Sequence, residues 1–108
     1  LLPLGTGRLV EVGRALAGEP RVMLLDEPTS GLGAQETDQL AETLRTVHEQ
    51  RDVAIVLVEH DVELVFALAD SVTVLDFGKV IAQGPPARIR GDAAVQAAYL
   101  GTTNTADA

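Results

Sequence analysis

Cysteine is absent from the 108 residues, which excludes disulfides and thiolate metal sites and leaves the compartment open. Aromatic residues are almost as scarce, with two Phe, one Tyr and no Trp against a 46% hydrophobic content. The core must therefore be built from Val, Leu, Ile and Ala. No apolar run approaches the ~20 residues of a membrane-spanning helix, and no charged, apolar and small-residue pattern marks a signal peptide. Positive charge is also short. Eight Lys and Arg against sixteen Asp and Glu leave a net charge of −8. Nucleic acid is thereby disfavoured as a partner, because phosphate backbones demand a basic stripe. The chain opens on Leu1-Leu2-Pro3 without Met and reads as a piece of something longer. At this length one domain is the expectation.

What is present concentrates at Val22-Met23-Leu24-Leu25-Asp26-Glu27-Pro28. A continuous apolar run suits a strand buried on both faces of a sheet, and the proline breaks the ladder straight after it. Asp26 and Glu27 then sit at the carboxyl end of that strand, where open α/β sheets bind their ligands. Two adjacent carboxylates need solvent or a cation. A metal–phosphate site meets that need, with one carboxylate holding Mg2+ through water and the other orienting a water for attack on a phosphoryl group. The bland alternative is a pair of strand-end caps.

The remaining chain alternates in type. Residues 7–17 place Leu9, Val12 and Leu16 on one helical face, and Gly18 and Pro20 end that helix. A helix over about 34–50 carries Leu40, Leu44 and Val47 on one stripe. Val53 to Val58 form a second apolar run, closed by Glu59, His60 and Asp61. A short helix at about 61–69 buries Val62, Val65, Phe66 and Ala69. Strands at 71–76 and 79–83 form a hairpin turning at Phe77-Gly78, and Gly84-Pro85-Pro86 ends it. A last helix is expected around 92–99, followed by a flexible tail at 102–108. Strands alternating with helices predict an α/β fold, a parallel sheet flanked by helices with an antiparallel edge hairpin.

Two strands thus deliver polar chemistry to one sheet edge: Asp26-Glu27 and Glu59-His60-Asp61. An imidazole there can donate to a phosphate oxygen. Glu59 and Asp61 read more simply as charges complementing a helix N-terminus. His48, near the end of its helix, reads as solvated and is given no role. Gly5 and Gly7 read either as a loop or as a helix start attractive to an anion.

These residues resemble the ATP-binding cassette family of ATPases, specifically the C-terminal part of the nucleotide-binding domain. Residues 22–26 with Glu27-Pro28-Thr29-Ser30-Gly31-Leu32 are similar to its Walker B strand, catalytic glutamate and D-loop. Val58-Glu59-His60-Asp61 is similar to its H-loop, and residues 2–16 to its signature motif and helix. Residues 75–84 match its closing hairpin. The tail Ala97-Ala98-Tyr99-Leu100-Gly101 is similar to the subgroup that energises branched-chain amino acid import. The resemblance covers about residues 2–101 and implies a partial P-loop NTPase (RecA-like) sheet. It implies Glu27 and His60 as catalytic residues, Asp26 as the Mg2+ holder through water, and Asp26 and Gly5 as contacts to ATP. It implies a second nucleotide-binding subunit in a head-to-tail dimer, transmembrane permease subunits, and a cytoplasmic place on the inner face of the membrane.

Three departures stand out. The signature reads Leu2-Pro3-Leu4-Gly5-Thr6, keeping one glycine and replacing the usual serine with Pro3. Gly33 stands where the D-loop usually has aspartate. No Gly-x-x-x-x-Gly-Lys-Ser/Thr occurs in the 108 residues, so the phosphate-cradling loop would precede Leu1. The chain is therefore expected to be inactive alone, and its open sheet edges to favour self-association. A non-catalytic interaction or regulatory module that binds no nucleotide is the alternative. DNA-repair ATPases with similar motifs are disfavoured by the short signature-to-Walker B spacing and the acidic balance.

Overall fold

The two apolar runs form β1 (Val22–Asp26) and β2 (Ala54–Val58), which pair in parallel. The register sets Val22 beside Ala54, Leu24 beside Val56 and Asp26 beside Val58, so both strands end at one edge. Parallel neighbours need a crossover connection, which contains α2 (Ala34–Gln50). The structure, a computed structural model, describes residues 3–100. The chain divides into two compact units, the first ending at Val62 and the second beginning at Glu63.

In the first unit α1 runs from Leu4 to Ala17, three residues earlier than the periodicity indicates, so Gly5 and Gly7 are helical. Val12 is buried on the expected face, and Leu9 and Leu16 are half-buried. On α2, Leu40 and Leu44 are buried while the exposed Glu42 and Arg45 pair one turn apart. His48 Nδ1 donates to the Val53 carbonyl (3.2 Å), across the connection from α2 to β2.

The strands differ from the expectation of burial on both faces. Met23 is 4% exposed, whereas Leu24 is 77% exposed and Val56 and Val58 are about half exposed. Successive strand residues point to opposite faces, so one face of this pair is covered and the other is open among the described residues.

In the second unit α3 (Val62–Leu68) leads to β3 (Val72–Asp76) and β4 (Lys79–Gly84), an antiparallel hairpin. Phe77 and Gly78 have φ of 49° and 77°, the pattern of a two-residue type I′ turn. A bulge between Val74 and Leu75 in the register leaves Ile81 unmatched on β4. Leu64 is the fully buried residue of α3, with Val65, Phe66 and Ala69 half-buried. The core gathers Val72, Ile89 and Val95, with Val65, Phe66, Ala69, Val74, Ile81 and Ala82 against it. The Arg90 guanidinium lies 4.5 Å from the Phe66 ring centroid and 3.5 Å from Glu63.

Two expectations are corrected here. Pro85-Pro86 does not simply end the hairpin but starts a helix, α4 (Pro86–Arg90), because a proline at the first helical position lacks only an N–H that would be unpaired anyway. The helix expected around 92–99 is a short α5 (Ala93–Val95), capped by Asp92, that widens into a π-helical turn over Gln96–Leu100. Among the described residues β1 pairs with β2 in one two-stranded sheet and β3 with β4 in another. The tail at 102–108 lies outside the described residues.

Candidate functional site

The site forms where β1 and β2 end together. The Glu27 N–H donates to the Val58 carbonyl (2.7 Å), extending the ladder one step past β1. Glu27 itself has φ of 46°, although it is not glycine and a residue before proline normally lies in the extended region. Such a conformation costs on the order of 1–3 kcal/mol and persists only where the surroundings enforce it.

From that strained position Glu27 meets His60. His60 Nδ1 donates to Glu27 Oε1 at 2.6 Å, across 33 residues of chain. Both side chains are open to solvent, His60 71% and Glu27 49% exposed. With Nδ1 on the carboxylate, Nε2 is the ring nitrogen left for a ligand. Asp26 is the last residue of β1, exposed, and on the same sheet face as Val58. Asp26 and Glu27 offer exposed carboxylate oxygens, a donor set that suits Mg2+, which binds through one or two carboxylates together with water and substrate phosphates. Among the described residues no group of three or more His, Asp and Glu gathers as a closed protein cage.

Gly5 is not brought to this pair. It is buried in the first turn of α1, and its N–H donates to Glu36 Oε2 at 2.8 Å. The first N–H groups of a helix lack internal partners, and a carboxylate is a favourable one. Glu36 also faces the Gly33 N–H at 3.5 Å from Oε1, half of a capping box that glycine cannot complete.

The turn over residues 27–33 is held by groups that the sequence pattern did not single out. Arg8 donates from Nε to the Pro28 carbonyl (3.0 Å) and from a terminal nitrogen to the Ser30 carbonyl (3.3 Å). Glu59 Oε2 accepts from both the Thr29 N–H (3.0 Å) and the Thr29 hydroxyl (2.7 Å). Gly31 has φ of 81°, a conformation that favours glycine, and the end of the Leu4 side chain packs beside it. Thr29 and Glu59 lie inside the two motif segments, beside Pro28 and His60, and that place is the signal that marks them. Glu36 stands three residues after Gly33, the capping-box spacing.

The chain that carries this site is similar to known proteins. The family model described as branched-chain amino acid ATP-binding cassette transporter matches residues 79–103. The high-affinity branched-chain amino acid transport ATP-binding protein BraF of Pseudomonas aeruginosa is 37% identical over 100 residues, 93% of this chain and 39% of that protein. The corresponding LivG of Escherichia coli is 36% identical, again over 93% of this chain and 39% of that protein. The chain thus spans about two fifths of the length of these relatives. Among solved structures, cbiO1 from Clostridium perfringens, part of the ABC transporter complex cbiONQ, superposes with a TM-score of 0.78 at 31% identity, covering 84% of this chain and 36% of that one. An ATP-binding cassette of an ABC transporter in its ADP conformation gives 0.81 at 26% identity, covering 93% and 41%.

The fold is that of the C-terminal part of an ATP-binding-cassette ATPase domain. Within that class the chain resembles the branched-chain amino acid transport ATP-binding proteins, over 93% of its length in BraF and LivG and from β4 onward, residues 79–103, in the family model.

Proposed function

We propose that residues 1–101 are the C-terminal portion of a nucleotide-binding domain that hydrolyses ATP to drive import across a membrane, with branched-chain amino acids as cargo. The observation that carries the reading is the 2.6 Å contact between His60 Nδ1 and Glu27 Oε1 at the shared end of two parallel strands. Glu27 takes a proton from the attacking water, whose oxygen bonds to the γ-phosphorus as the bond to the bridging oxygen breaks and ADP leaves with the electron pair. His60 hydrogen-bonds that carboxylate through Nδ1 and turns Nε2 toward the phosphate. Asp26 would hold Mg2+ through water, and the ion would supply positive charge that offsets the phosphates. The signature end of α1 faces a second nucleotide-binding subunit in a head-to-tail dimer, with Gly5 buried behind it on Glu36. Permease subunits carry the substrate path, and the domain sits on the cytoplasmic face of the membrane. The 108 residues alone are inactive, since they contain no phosphate-cradling loop.

That same lack of a Gly-x-x-x-x-Gly-Lys-Ser/Thr favours a second reading, a non-catalytic interaction module. A reading frame that carries the loop upstream selects the ATPase; one that starts near Leu1 selects the module. In the loop-bearing protein Glu27→Gln should lower turnover by about 10²-fold or more while ATP binding persists, since a general base acts only in the transition state. Near-normal hydrolysis by this variant would reject Glu27 as the base.

A further inference from the structure

The Glu27 N–H to Val58 carbonyl bond carries the ladder one step past β1. Side chains then carry the link. The His60–Glu27 bond is open to solvent on both partners, and an exposed pair of flexible side chains does little to fix its own geometry. Behind it lies a second, less exposed link. Thr29 is 9% exposed, and both its N–H and its hydroxyl end on Glu59 Oε2. Glu59 Oε1 is buried and accepts no hydrogen bond from the described residues. A glutamate that served only as a charge at a helix start would keep its carboxylate in water. This one is drawn inward, with Oε2 taking both donors of Thr29.

We infer that Glu59 is a positioning residue. Its clasp on Thr29 fixes the turn after Glu27 against the segment bearing His60, and so sets the catalytic carboxylate against the imidazole. The clasp connects the turn of residues 27–33 with the end of β2, so a shift in either one moves the other. This rests on the ATPase reading above for its kinetic consequence, although the geometric consequence stands apart from it.

The test uses the longer protein that carries this chain with its phosphate loop. Glu59→Ala and Thr29→Val should each lower kcat about tenfold with KM for MgATP held within about twofold. Glu59→Gln and Thr29→Ser keep an acceptor and a donor, and should stay within about threefold of the parent kcat. The Glu59→Ala, Thr29→Val double variant should fall no further than the worse single change, because the two residues act as one unit. The 15N resonances of the His60 ring should move in Glu59→Ala and stay in Glu59→Gln. Lowered melting temperature with kcat and the His60 resonances unchanged would overturn the inference. Should Glu59→Ala fail to fold, Thr29→Val against Thr29→Ser decides, and equal kcat for the two overturns it. If the parent protein hydrolyses no ATP, the ATPase reading falls, while the His60 resonances still decide the clasp.

Discussion

Gly5 and Glu36 meet across 31 residues of chain, the Gly5 N–H donating to Glu36 Oε2 at 2.8 Å. The carboxylate occupies the place at the start of α1 where an incoming anion would be drawn. It belongs to the first turn of α2 and also faces the Gly33 N–H, so one side chain serves the beginnings of two helices. Room there is tight, since a Cβ on Gly5 would stand 2.3 Å from that same oxygen.

Replacing Glu36 with Ala should therefore destabilise the fold by about 1–2 kcal/mol, the usual loss when helix-start N–H groups lose a side-chain acceptor. Urea unfolding measures it. An unchanged midpoint would mean that water serves the Gly5 N–H equally well.

MgATP should not bind residues 1–108 with micromolar affinity. The sequence offers no lysine-bearing phosphate loop, Glu36 already fills the start of α1, and the net charge of −8 repels a polyphosphate. Calorimetry at high protein concentration tests this, and a clear saturating heat would point to a different nucleotide site.

The open face of the β1–β2 pair should make residues 1–108 associate. Val22, Leu24, Val56 and Val58 are each at least half exposed and share one face by register. Sedimentation should show association that weakens on Leu24→Lys, because a charge on an apolar contact face cannot be desolvated cheaply. Equal behaviour of the two proteins would place the contact elsewhere.

Ile89→Ala should be more disruptive than any surface change in the second unit. Ile89 is 1% exposed and sits with Val72 and Val95 in that unit's core. Truncating a buried isoleucine costs about 2–5 kcal/mol, depending on how far the cavity collapses. Chemical denaturation followed by hydrogen exchange in β3 and β4 would locate the loss.

The elements with strong periodic signals were legible in the sequence. β1 spans the expected residues, α2 follows its Leu40, Leu44 and Val47 stripe, and the hairpin turns at Phe77-Gly78. The meeting of Glu27 with His60 was legible as two motifs delivered to one sheet edge. Their hydrogen bond was not, because it needs Glu27 in a left-handed conformation that the residue before a proline rarely takes. Glu59 was read as a helix-start charge, and Arg8 and Glu36 carried no signal, because their partners lie 20 to 31 residues away in other elements, where no period applies. α4 was hidden by Pro85-Pro86, whose breaker signal equally marks a helix start. The exposed side of β1 was hidden too, since an unbroken apolar run records what a strand can bury rather than what covers it.

The unmatched Ile81 lets β4 break its own alternation. Leu75 pairs with Val80 on the turn side and Val74 with Ala82 on the other, so Ile81 and Ala82 both pack inward although they are adjacent. The two halves of the hairpin consequently keep separate phase. Toward the turn, Leu75, Phe77 and Val80 point outward at 52%, 98% and 60% exposure. A peptide tag spliced in at Phe77-Gly78 would lengthen a hairpin tip whose side chains the core never meets. Deleting the single residue Ile81 would restore a regular ladder and rob that core of one of its two consecutive anchors.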